Sequence, residues 1–247
     1  MSPRLYIVSR PQVAEGLATF LEHQGLAWKE SGDATPAERL IEFAGRICYL
    51  SFGEDQYRKD NASYIANLIA QGHESVLEHA CWTFVLSGVS RAFTHQLVRH
   101  RVGFSYSQLS QQYHDEADAE FVQPFGVQAS PVALKAWQDA IVAAQTAYRA
   151  IQEELGGAKQ NPREVARAIR SAARSVMPNA TATIIAVTAN ARAIRHFLSL
   201  RGAIEGDYEM RMVSTLLYHL LAAEAPALVT DYELGEMEDG SPVVRPK

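Results

Sequence analysis

The alternation of apolar and polar positions predicts a chain of helices interrupted by a few short strands. Runs rich in β-branched and aromatic residues, typical of strands, lie at residues 4–9, 81–89 and 181–187. Apolar positions recur at helical spacing in the segments 11–23, 39–50, 57–71, 90–99, 131–155, from 161 onward, 190–201 and 205–223. The residues from Glu233 onward are mostly polar, and we expect them to be frayed.

Capping residues indicate where several of these predicted helices begin and end. Ser90, Asn161 and Asn190 each stand just before a helical segment, where a side-chain oxygen can accept a hydrogen bond from the first turn. Gly72 and Gly156 follow helical segments and are expected to end them. The pattern therefore predicts a mixture of α and β structure.

Length and composition narrow the class of protein. The chain has 247 residues, and it shows no internal repeat, linker or low-complexity segment, so we expect one domain over residues 1–247. No apolar run is long enough to span a bilayer, and no N-terminal signal pattern is present. Two cysteines, Cys48 and Cys81, do not make a disulfide framework. We therefore expect a cytoplasmic protein without a membrane partner.

The charge pattern suggests a small anionic ligand. A net charge of −5 gives no bulk attraction to nucleic acid. Arginine outnumbers lysine by 18 to 5, and seven arginines lie between Arg163 and Arg201. Such locally concentrated arginine favours discrete anionic ligands, although many of these arginines could equally form surface ion pairs of little energetic weight. In the helix from Asn161, Arg174 alone has mainly apolar neighbours, which predicts an anionic partner for it.

The stretch 96–113 carries the clearest candidate chemistry. Arg99, His100 and Arg101 form a cationic triplet, and a polar loop of serine and glutamine residues follows it. Arginine presents a planar fork that suits phosphate oxygens, and serine and glutamine both donate and accept hydrogen bonds. The stretch therefore predicts a site for a phosphorylated heterocycle, against the alternative of a solvated basic loop.

A second polar segment, residues 73–79, contains two histidines and two glutamates. Its spacing does not match a common zinc motif, and the chain contains no Cys-x-x-Cys or His-Glu-x-x-His pattern, so we predict no metal. For His79 a buried histidine satisfied by a neighbour is the simpler interpretation.

The triplet followed by Gln108-Leu109-Ser110 and Tyr113 resembles the signature of the flavin-dependent thymidylate synthases. Further matching blocks occur in the family's order, so that the resemblance covers roughly residues 40–235: Gly72-His73-Glu74, Arg174-x-x-x-Pro178, Asn190-Ala191-Arg192 and Phe197-Leu198-x-Leu200-Arg201.

The chain departs from the family pattern at a few positions. The family pattern has seven residues between the triplet and the serine, whereas here eight residues separate Arg101 from Ser110, an insertion that Gly103 accommodates. Gln108, Gln112 and Glu205 stand where relatives often have Glu, Arg and His respectively.

The resemblance implies a fold and an activity. It implies an α+β domain with a mixed sheet and long helices, assembled as a homotetramer whose sites are shared between subunits. The implied reaction is C5-methylation of dUMP to dTMP, with FAD as cofactor and with NADPH and methylenetetrahydrofolate as co-substrates. Neither cysteine lies in the Pro-Cys-His context of the unrelated cysteine-dependent thymidylate synthases, which agrees with flavin chemistry.

The resemblance also implies roles for individual residues. The residues expected at the flavin are Ser75, Arg99, His100, Arg101, Asn190, Arg192, His196 and Leu200. The residues expected at the nucleotide are Gln96, Arg99, Gln108, Leu109, Ser110, Gln111, Gln112, Arg174 and Arg201. Arg201 and Ser110 are the catalytic candidates. Arg201 would favour electron density on the pyrimidine, and Ser110 would hydrogen-bond the nucleotide rather than act as a nucleophile.

Three alternatives remain open at this point. The enzyme could be a specialised methylase that accepts UMP, because Gln112 and the extra residue both lie in the nucleotide-facing loop. It could be a non-catalytic nucleotide- or flavin-binding protein of the same family, which the substitutions at Gln108, Gln112 and Glu205 motivate. A helical interaction protein is disfavoured, because so many matched blocks occur in order.

Overall fold

The fold is given by a computed structural model that describes residues 2–58 and 60–247. Its helices, α1 to α8, span Gly16–Gln24, Pro36–Tyr49, Asn61–Ala70, Arg91–Leu97, Pro131–Glu154, Arg163–Ala173, Ala191–Arg201 and Tyr208–Glu224. Its strands, β1 to β6, span Arg4–Ser9, Cys81–Ser90, Phe104–Gln108, Ala182–Asn190, Tyr232–Glu236 and Pro242–Pro246. Short 3-10 segments include Glu74–His79 and Arg174–Val176.

The strands form two sheets. One has the order β1-β2-β4-β3, and the other is the antiparallel pair β5-β6, in which Tyr232 lies opposite Pro246. Helices and sheets together confirm the α+β class. Among the described residues, no helix is both long enough and apolar enough to cross a membrane.

The chain divides into two compact units. The first contains Leu86–Arg99 and Tyr106–Ala186 together with the start of the chain, and the second contains Leu5–Val85, His100–Ser105 and Val187–Lys247. We refer to them below as the first unit and the second unit. The expectation of one domain stays a prediction.

The first unit has a modest apolar core. Phe93 and Leu97 of α4 are buried, as is Ile185 of β4. Helix α5 has 24 residues but buries only Tyr148 completely, and its apolar Val142 is exposed. A helix of this length normally buries an apolar stripe, so α5 is packed unusually lightly.

The second unit has a denser core, built on α7 and α8. Phe197 and Leu198 of α7 and Leu221 of α8 are fully buried. Val243 and Val244 of β6 are also fully buried, and the Val244 N–H donates to the carbonyl of Gly202 at 2.9 Å. The expectation of a frayed segment after Glu233 is therefore wrong. These two valines stabilise the segment through long-range burial, which its polar composition does not reveal.

Local capping was predicted well at two positions and wrongly at one. The side chains of Ser90 and Asn190 accept hydrogen bonds from the N–H groups of Phe93 and Ala193, as expected. Asn161 does not cap α6, whose N-cap residue is Pro162. Its Nδ2 instead donates to the carbonyls of Gly156 and Gly157, which end the preceding helix and compete for the amide.

Three element boundaries also differ from expectation. Helix α1 begins at Gly16 rather than at residue 11, and α3 begins at Asn61 rather than at residue 57, with residue 59 lying outside the described residues. The segment after the triplet was expected to be a loop but contains β3. Its alternating half-buried and exposed residues fit a strand that pairs with β4, a partner remote in sequence.

Candidate functional site

The two units divide the candidate residues almost cleanly. The nucleotide candidates other than Arg201 lie in the first unit, and the flavin candidates other than Arg99 lie in the second. The cationic triplet itself is divided, because Arg99 belongs to the first unit whereas His100 and Arg101 belong to the second. Each set is described below within its own unit.

Gln96 and Arg99 lie at the C-terminal end of α4 and are exposed. The Nη2 atom of Arg99 lies 3.2 Å from Nε2 of His95, one helical turn earlier. The carbonyl groups at a helix C-terminus carry partial negative charge, so they interact favourably with the positive charge of Arg99. Its guanidinium can still turn towards a ligand, since it is not buried.

The loop of residues 108–112 is held by hydrogen bonds from side chains remote in sequence. Nε2 of Gln108 donates to Oγ1 of Thr94 at 2.9 Å, and it lies 3.4 Å from Oγ1 of Thr183. The Leu109 N–H donates to the carbonyl of Ile184 at 2.9 Å. This end of β3 is therefore fixed to both α4 and β4 within the first unit.

Ser110 turns the chain within this loop. Its carbonyl accepts from the N–H groups of Tyr113 and His114, and its Oγ accepts from the N–H of Gln112 at 3.3 Å. In the part of the chain that the structure describes, no histidine or carboxylate hydrogen-bonds to this Oγ. Serine nucleophiles are activated by such a base, so the geometry favours the hydrogen-bonding role predicted for Ser110.

The two glutamines after Ser110 are anchored differently. Gln111 is buried, and its side chain acts to lower the pKa of Glu116 against the effect of burial. Nε2 of Gln112 donates to Oγ of Ser171 on α6 at 2.9 Å. Gln112 is therefore held by a neutral partner, whereas an arginine at this position would bring a charge.

An arginine that the sequence analysis did not single out supports the loop from the α4 side. Nη2 of Arg91 donates to the carbonyl of Leu109 at 2.7 Å and lies 3.9 Å from the carboxylate of Glu116. Burial lowers the pKa of Arg91, Glu116 opposes that shift, and the charge of Arg174 adds to it.

The sequence analysis did not identify Arg91 or Glu116 as site residues, although the sequence contains a signal for Arg91. Arg91 begins α4, and a cation in the first turn of a helix opposes the helix dipole, which hints at another reason for its presence. Glu116 is almost completely buried, and burial raises its pKa, with Arg91 opposing the shift. Its burial depends on the fold, so no local sequence pattern could identify it.

Arg174 begins the 3-10 turn that follows α6 and is half-buried. Within residues 2–58 and 60–247, no carboxylate lies within ion-pair distance of it. By contrast, Arg167 on α6 pairs with Glu164 at 3.4 Å, and the Arg163 guanidinium lies 5.6 Å from the centre of the Tyr113 ring. Arg174 therefore differs from Arg163, which is exposed, and from Arg167, which is paired. It does not differ from Arg170, which is also half-buried, has no carboxylate partner in the described chain and has a buried Nε without a hydrogen-bond partner.

In the second unit, the flavin candidates Asn190 and Arg192 lie at the start of α7, whereas Ser75, His100, Arg101 and Leu200 lie elsewhere. Asn190 caps this helix, with its Oδ1 accepting from the Ala193 N–H at 2.8 Å. The Asn190 N–H donates to the carbonyl of Gly103 at 3.1 Å, which brings the turn after the triplet against the helix.

Arg192 is held by two carboxylates. Its Nη1 donates to Glu78 at 2.6 Å, and its Nε lies 3.6 Å from Glu74. The hydrogen bond to Glu78 raises the pKa of Arg192. Ser75 is exposed in the same 3-10 segment as the two glutamates. The sequence analysis did not assign these glutamates to Arg192, because the partners are more than 100 residues apart.

His100 is paired with Arg201. Nε of Arg201 donates to Nε2 of His100 at 3.2 Å, and the imidazole packs edge-on against Phe197 with ring centres 4.9 Å apart. Burial lowers the pKa of His100, and the charges of Arg201 and His196 lower it further. His100 is therefore a neutral acceptor that orients the Arg201 guanidinium.

A cavity of about 270 Å³ opens beside the first turn of α7. It is lined by Glu74, Glu78, Val102, Asn190, Arg192, Ala193 and His196. Amide, guanidinium and imidazole groups around one cavity suit a ligand that both donates and accepts hydrogen bonds. Leu200 and Arg101 are exposed and lie outside this lining, so they are not brought to the cavity within one chain.

No group of three His, Cys, Asp or Glu side chains is arranged to hold a metal ion in the described part of the chain. The His73–His79 segment places Glu74 and Glu78 at Arg192 instead. The two glutamates are thus occupied by an ion pair.

Comparison with known proteins identifies the class of protein and then the family. The curated relatives are enzymes: the flavin-dependent thymidylate synthase of Mycolicibacterium gilvum is 43% identical over 217 residues, 86% of this chain and 86% of the relative. Those of Mycobacteroides abscessus and Mycobacterium tuberculosis strain H37Ra are 41% and 40% identical over 228 residues, 91% of this chain and 90% of each relative.

The family model described as thymidylate synthase complementing protein matches residues 32–227. The chain belongs to this family. The predicted resemblance is therefore confirmed, and so is the prediction that the chain is an enzyme.

Proposed function

We propose that this enzyme catalyses the flavin-dependent, reductive C5-methylation of a uracil nucleotide, converting dUMP to dTMP. The observation that carries the proposal is Arg174, which is half-buried and has no carboxylate partner in the described chain. A guanidinium in this state is stabilised by an anion such as a nucleotide phosphate. The names of the relatives supply the reaction.

The nucleotide would be held by the first unit. Arg174 and Arg99 would bind the phosphate, and the loop of residues 108–112 would present neutral donors and acceptors to the base and sugar. Because Gln108 and Gln112 are fixed by Thr94 and Ser171, the loop is ordered before the ligand binds. Such preorganisation reduces the entropy cost of binding.

The second unit fits a flavin, which we propose to be FAD. Nδ2 of Asn190 remains a donor because Oδ1 of the same amide caps α7. With the guanidinium of Arg192 and the imidazole of His196, it gives the cavity polar groups for the edge of a heterocycle. Ser75, His100, Arg101 and Leu200 are the remaining flavin candidates, and their roles are part of the proposal.

The protein's own contribution is binding and electrostatics. A bound flavin, recharged by NADPH, would supply the hydride that reduces the one-carbon unit of methylenetetrahydrofolate, while the C5 hydrogen leaves the pyrimidine as a proton. Arg201 would stabilise negative charge on the pyrimidine, since His100 occupies only one of its five N–H donors. Ser110 would hydrogen-bond the nucleotide.

We also propose a homotetramer whose sites are shared between subunits. The light burial of α5 supports this, because a 24-residue helix with one fully buried residue has surface available for another subunit. Cys48 and Cys81 are both free thiols, which suits the reducing cytoplasm that we propose as its location.

UMP is a second candidate substrate. Gln112 lies in the nucleotide loop and hydrogen-bonds to Ser171, so no charge is contributed where relatives often have arginine. Discrimination between ribose and deoxyribose depends on whether the 2′-hydroxyl meets a partner or a clash. A neutral, anchored side chain at this position is compatible with either sugar.

The test is turnover with dUMP and UMP side by side, with FAD, NADPH and methylenetetrahydrofolate present and the 5-methyl nucleotide measured as product. We expect dTMP from dUMP. Comparable product from UMP would identify a specialised methylase. Absence of product from both nucleotides, in protein that retains flavin, would refute the proposal in favour of a non-catalytic binding protein.

A further inference from the structure

Val102 and Gly103 form the turn that carries the extra residue after the cationic triplet. Val102 is 85% exposed, yet it is one of the residues that line the cavity beside α7. An isolated exposed valine needs no explanation in general, but this one is fixed in place by its neighbour.

Gly103 has a positive φ of 74° and lies extremely close to α7. A Cβ atom at this position would lie 2.7 Å from Nδ2 of Asn190 and 2.8 Å from Cβ of Ala193, closer than real Cβ atoms approach. Only glycine allows the turn to lie this close to the helix, and the hydrogen bond from the Asn190 N–H to the Gly103 carbonyl holds it there.

Asn190 has a fixed amide orientation as a result of capping. Oδ1 accepts from the Ala193 N–H, so Nδ2 is the end of the amide directed away from the helix backbone. Among residues 2–58 and 60–247, no group accepts a hydrogen bond from this Nδ2, although Asn190 lines the cavity. The cavity thus has a donor at one side and the isopropyl group of Val102 at another.

We propose that Val102 is a flavin-contacting specificity residue and that Gly103 is the positioning residue that holds it over the cavity. This inference rests on the proposed function, because the ligand it names is the flavin. Val102 would offer an apolar surface on which a flat ring packs, while Asn190, Arg192 and His196 hydrogen-bond to the edge of the ring.

The cavity selects the ring system rather than the pyrophosphate of FAD. Glu74 and Glu78 line it, and the single charge of Arg192 neutralises only one of these two carboxylates, so the remaining negative charge would repel a pyrophosphate. Its volume of about 270 Å³ lies just below the usual range for a whole ligand, so it accommodates part of a dinucleotide. A flat, neutral heterocycle with donors and acceptors matches both constraints.

The first test is the affinity of the purified enzyme for FAD in Gly103→Ala, measured by quenching of flavin fluorescence. The matched control is Gly206→Ala, because Gly206 has a φ of +72° and nothing within 4 Å of an added Cβ. Both variants therefore carry similar backbone strain, and only Gly103→Ala collides with α7. We expect about a tenfold loss of affinity in Gly103→Ala, which is about 1.4 kcal/mol, and a loss of less than about twofold in the control. Equal affinities would overturn the inference.

A second pair of variants keeps the test valid if Gly103→Ala folds poorly. Val102→Thr preserves the size of the side chain and adds a hydroxyl, and the control Val8→Thr makes the same change at an exposed position of β1. We expect Val102→Thr to weaken FAD binding by about fivefold, because a flat ring would bury the hydroxyl without a partner. Unchanged FAD affinity in Val102→Thr would overturn the role of Val102.

Failure of this inference can be told apart from failure of the proposed function. Unmodified enzyme that binds no FAD would refute the proposed cofactor. Unmodified enzyme that binds FAD, with variants that match their controls, would leave the proposed function intact and remove only the role of Val102 and Gly103.

Discussion

The loop of residues 108–112 in the first unit and the first turn of α7 in the second present polar groups in contrasting ways. Gln108 is fixed by neutral hydrogen bonds to Thr94 and Thr183, and Gln112 by one to Ser171, all of which lie on other elements. Asn190 is fixed by its own helix, because its side-chain oxygen accepts a hydrogen bond from the Ala193 N–H in the first turn. The loop thus depends on remote packing, whereas the helix turn is largely self-supporting.

The arginines compared here differ between the two units in how closely a carboxylate pairs with them. In the second unit, Arg192 pairs with Glu78, and Arg195 forms a two-pronged pair with Asp231 at 2.7 and 2.8 Å. In the first unit, Arg174 has no carboxylate partner in the described chain, and Arg91 has only Glu116 at 3.9 Å. At these positions the first unit carries arginine without a close carboxylate, and we expect the nucleotide phosphate to bind there.

The largest expected effect is the loss of dUMP affinity when Arg174, the arginine in this comparison that has no carboxylate partner in the described chain, is removed. Arg174→Ala should weaken dUMP binding by about 10- to 100-fold, because a charged hydrogen bond to phosphate is lost, while flavin content stays unchanged. Calorimetric titration with dUMP and the visible absorbance of the flavin measure the two quantities. Arg167→Ala is the control, since Arg167 is already paired with Glu164. Unchanged dUMP affinity in Arg174→Ala would refute the assignment.

The next effect separates the two roles of Asn190. Asn190→Ala should lower the free energy of unfolding by about 1 kcal/mol, because the cap of α7 is removed, and it should also weaken FAD binding. Asn190→Asp keeps an oxygen for the cap but loses the Nδ2 donor, so stability should be retained while FAD affinity falls. Thermal melts and flavin titration check both. Full FAD affinity in Asn190→Asp would show that the donor is not used.

A smaller effect concerns the pH dependence that His100 contributes. Burial, with Arg201 and His196, holds the pKa of His100 below its ordinary value of 6.5, so the unfolded chain binds this proton more readily. The stabilising contribution is therefore complete above pH 6.5 and is lost as the pH falls through the folded-state pKa. Unfolding free energies of His100→Gln measured across this range should depend less on pH than those of the unmodified enzyme. His23→Gln, at an exposed site, is the control, and identical pH profiles for all three proteins would contradict the account.

The smallest expected effect concerns the preference for dUMP over UMP, which we assign to Gln112 in the loop of residues 108–112. Gln112→Arg restores the residue that relatives often carry, and it should raise the preference for dUMP over UMP, expressed as a ratio of kcat/KM values, by about fivefold. Gln128→Arg adds the same charge at an exposed position outside the loop and serves as the control. A ratio that moves equally in both variants would assign the effect to net charge alone.

Local chemistry explains which features could be predicted from the sequence. The caps at Ser90 and Asn190 use partners three residues away, and both were predicted. Asn161 does not cap α6, and its Nδ2 instead donates to the carbonyls of Gly156 and Gly157. The apolar neighbours of Arg174 distinguished it from Arg163 and Arg167, but the sequence did not reveal that Arg170 is also half-buried without a carboxylate partner in the described chain.

The remaining features depend on contacts between distant segments. The pairing of β3 with β4, the burial of Val243 and the ion pair of Arg192 with Glu78 all join residues far apart in sequence. Hydrophobic periodicity reports which face of an element is buried but not which element covers it. The extra residue at Gly103 was noticed in the sequence, yet its close approach to Asn190 needed coordinates.

The central claim is that this enzyme couples oxidation of a flavin to methylation of a uracil nucleotide. A single turnover without oxygen tests it most directly: the enzyme is loaded with reduced FAD, methylenetetrahydrofolate and dUMP are added, and flavin absorbance and dTMP are followed together. The account predicts one dTMP for each flavin oxidised, and no oxidation when dUMP is omitted. Flavin that stays reduced, or that is oxidised without forming dTMP, would contradict it.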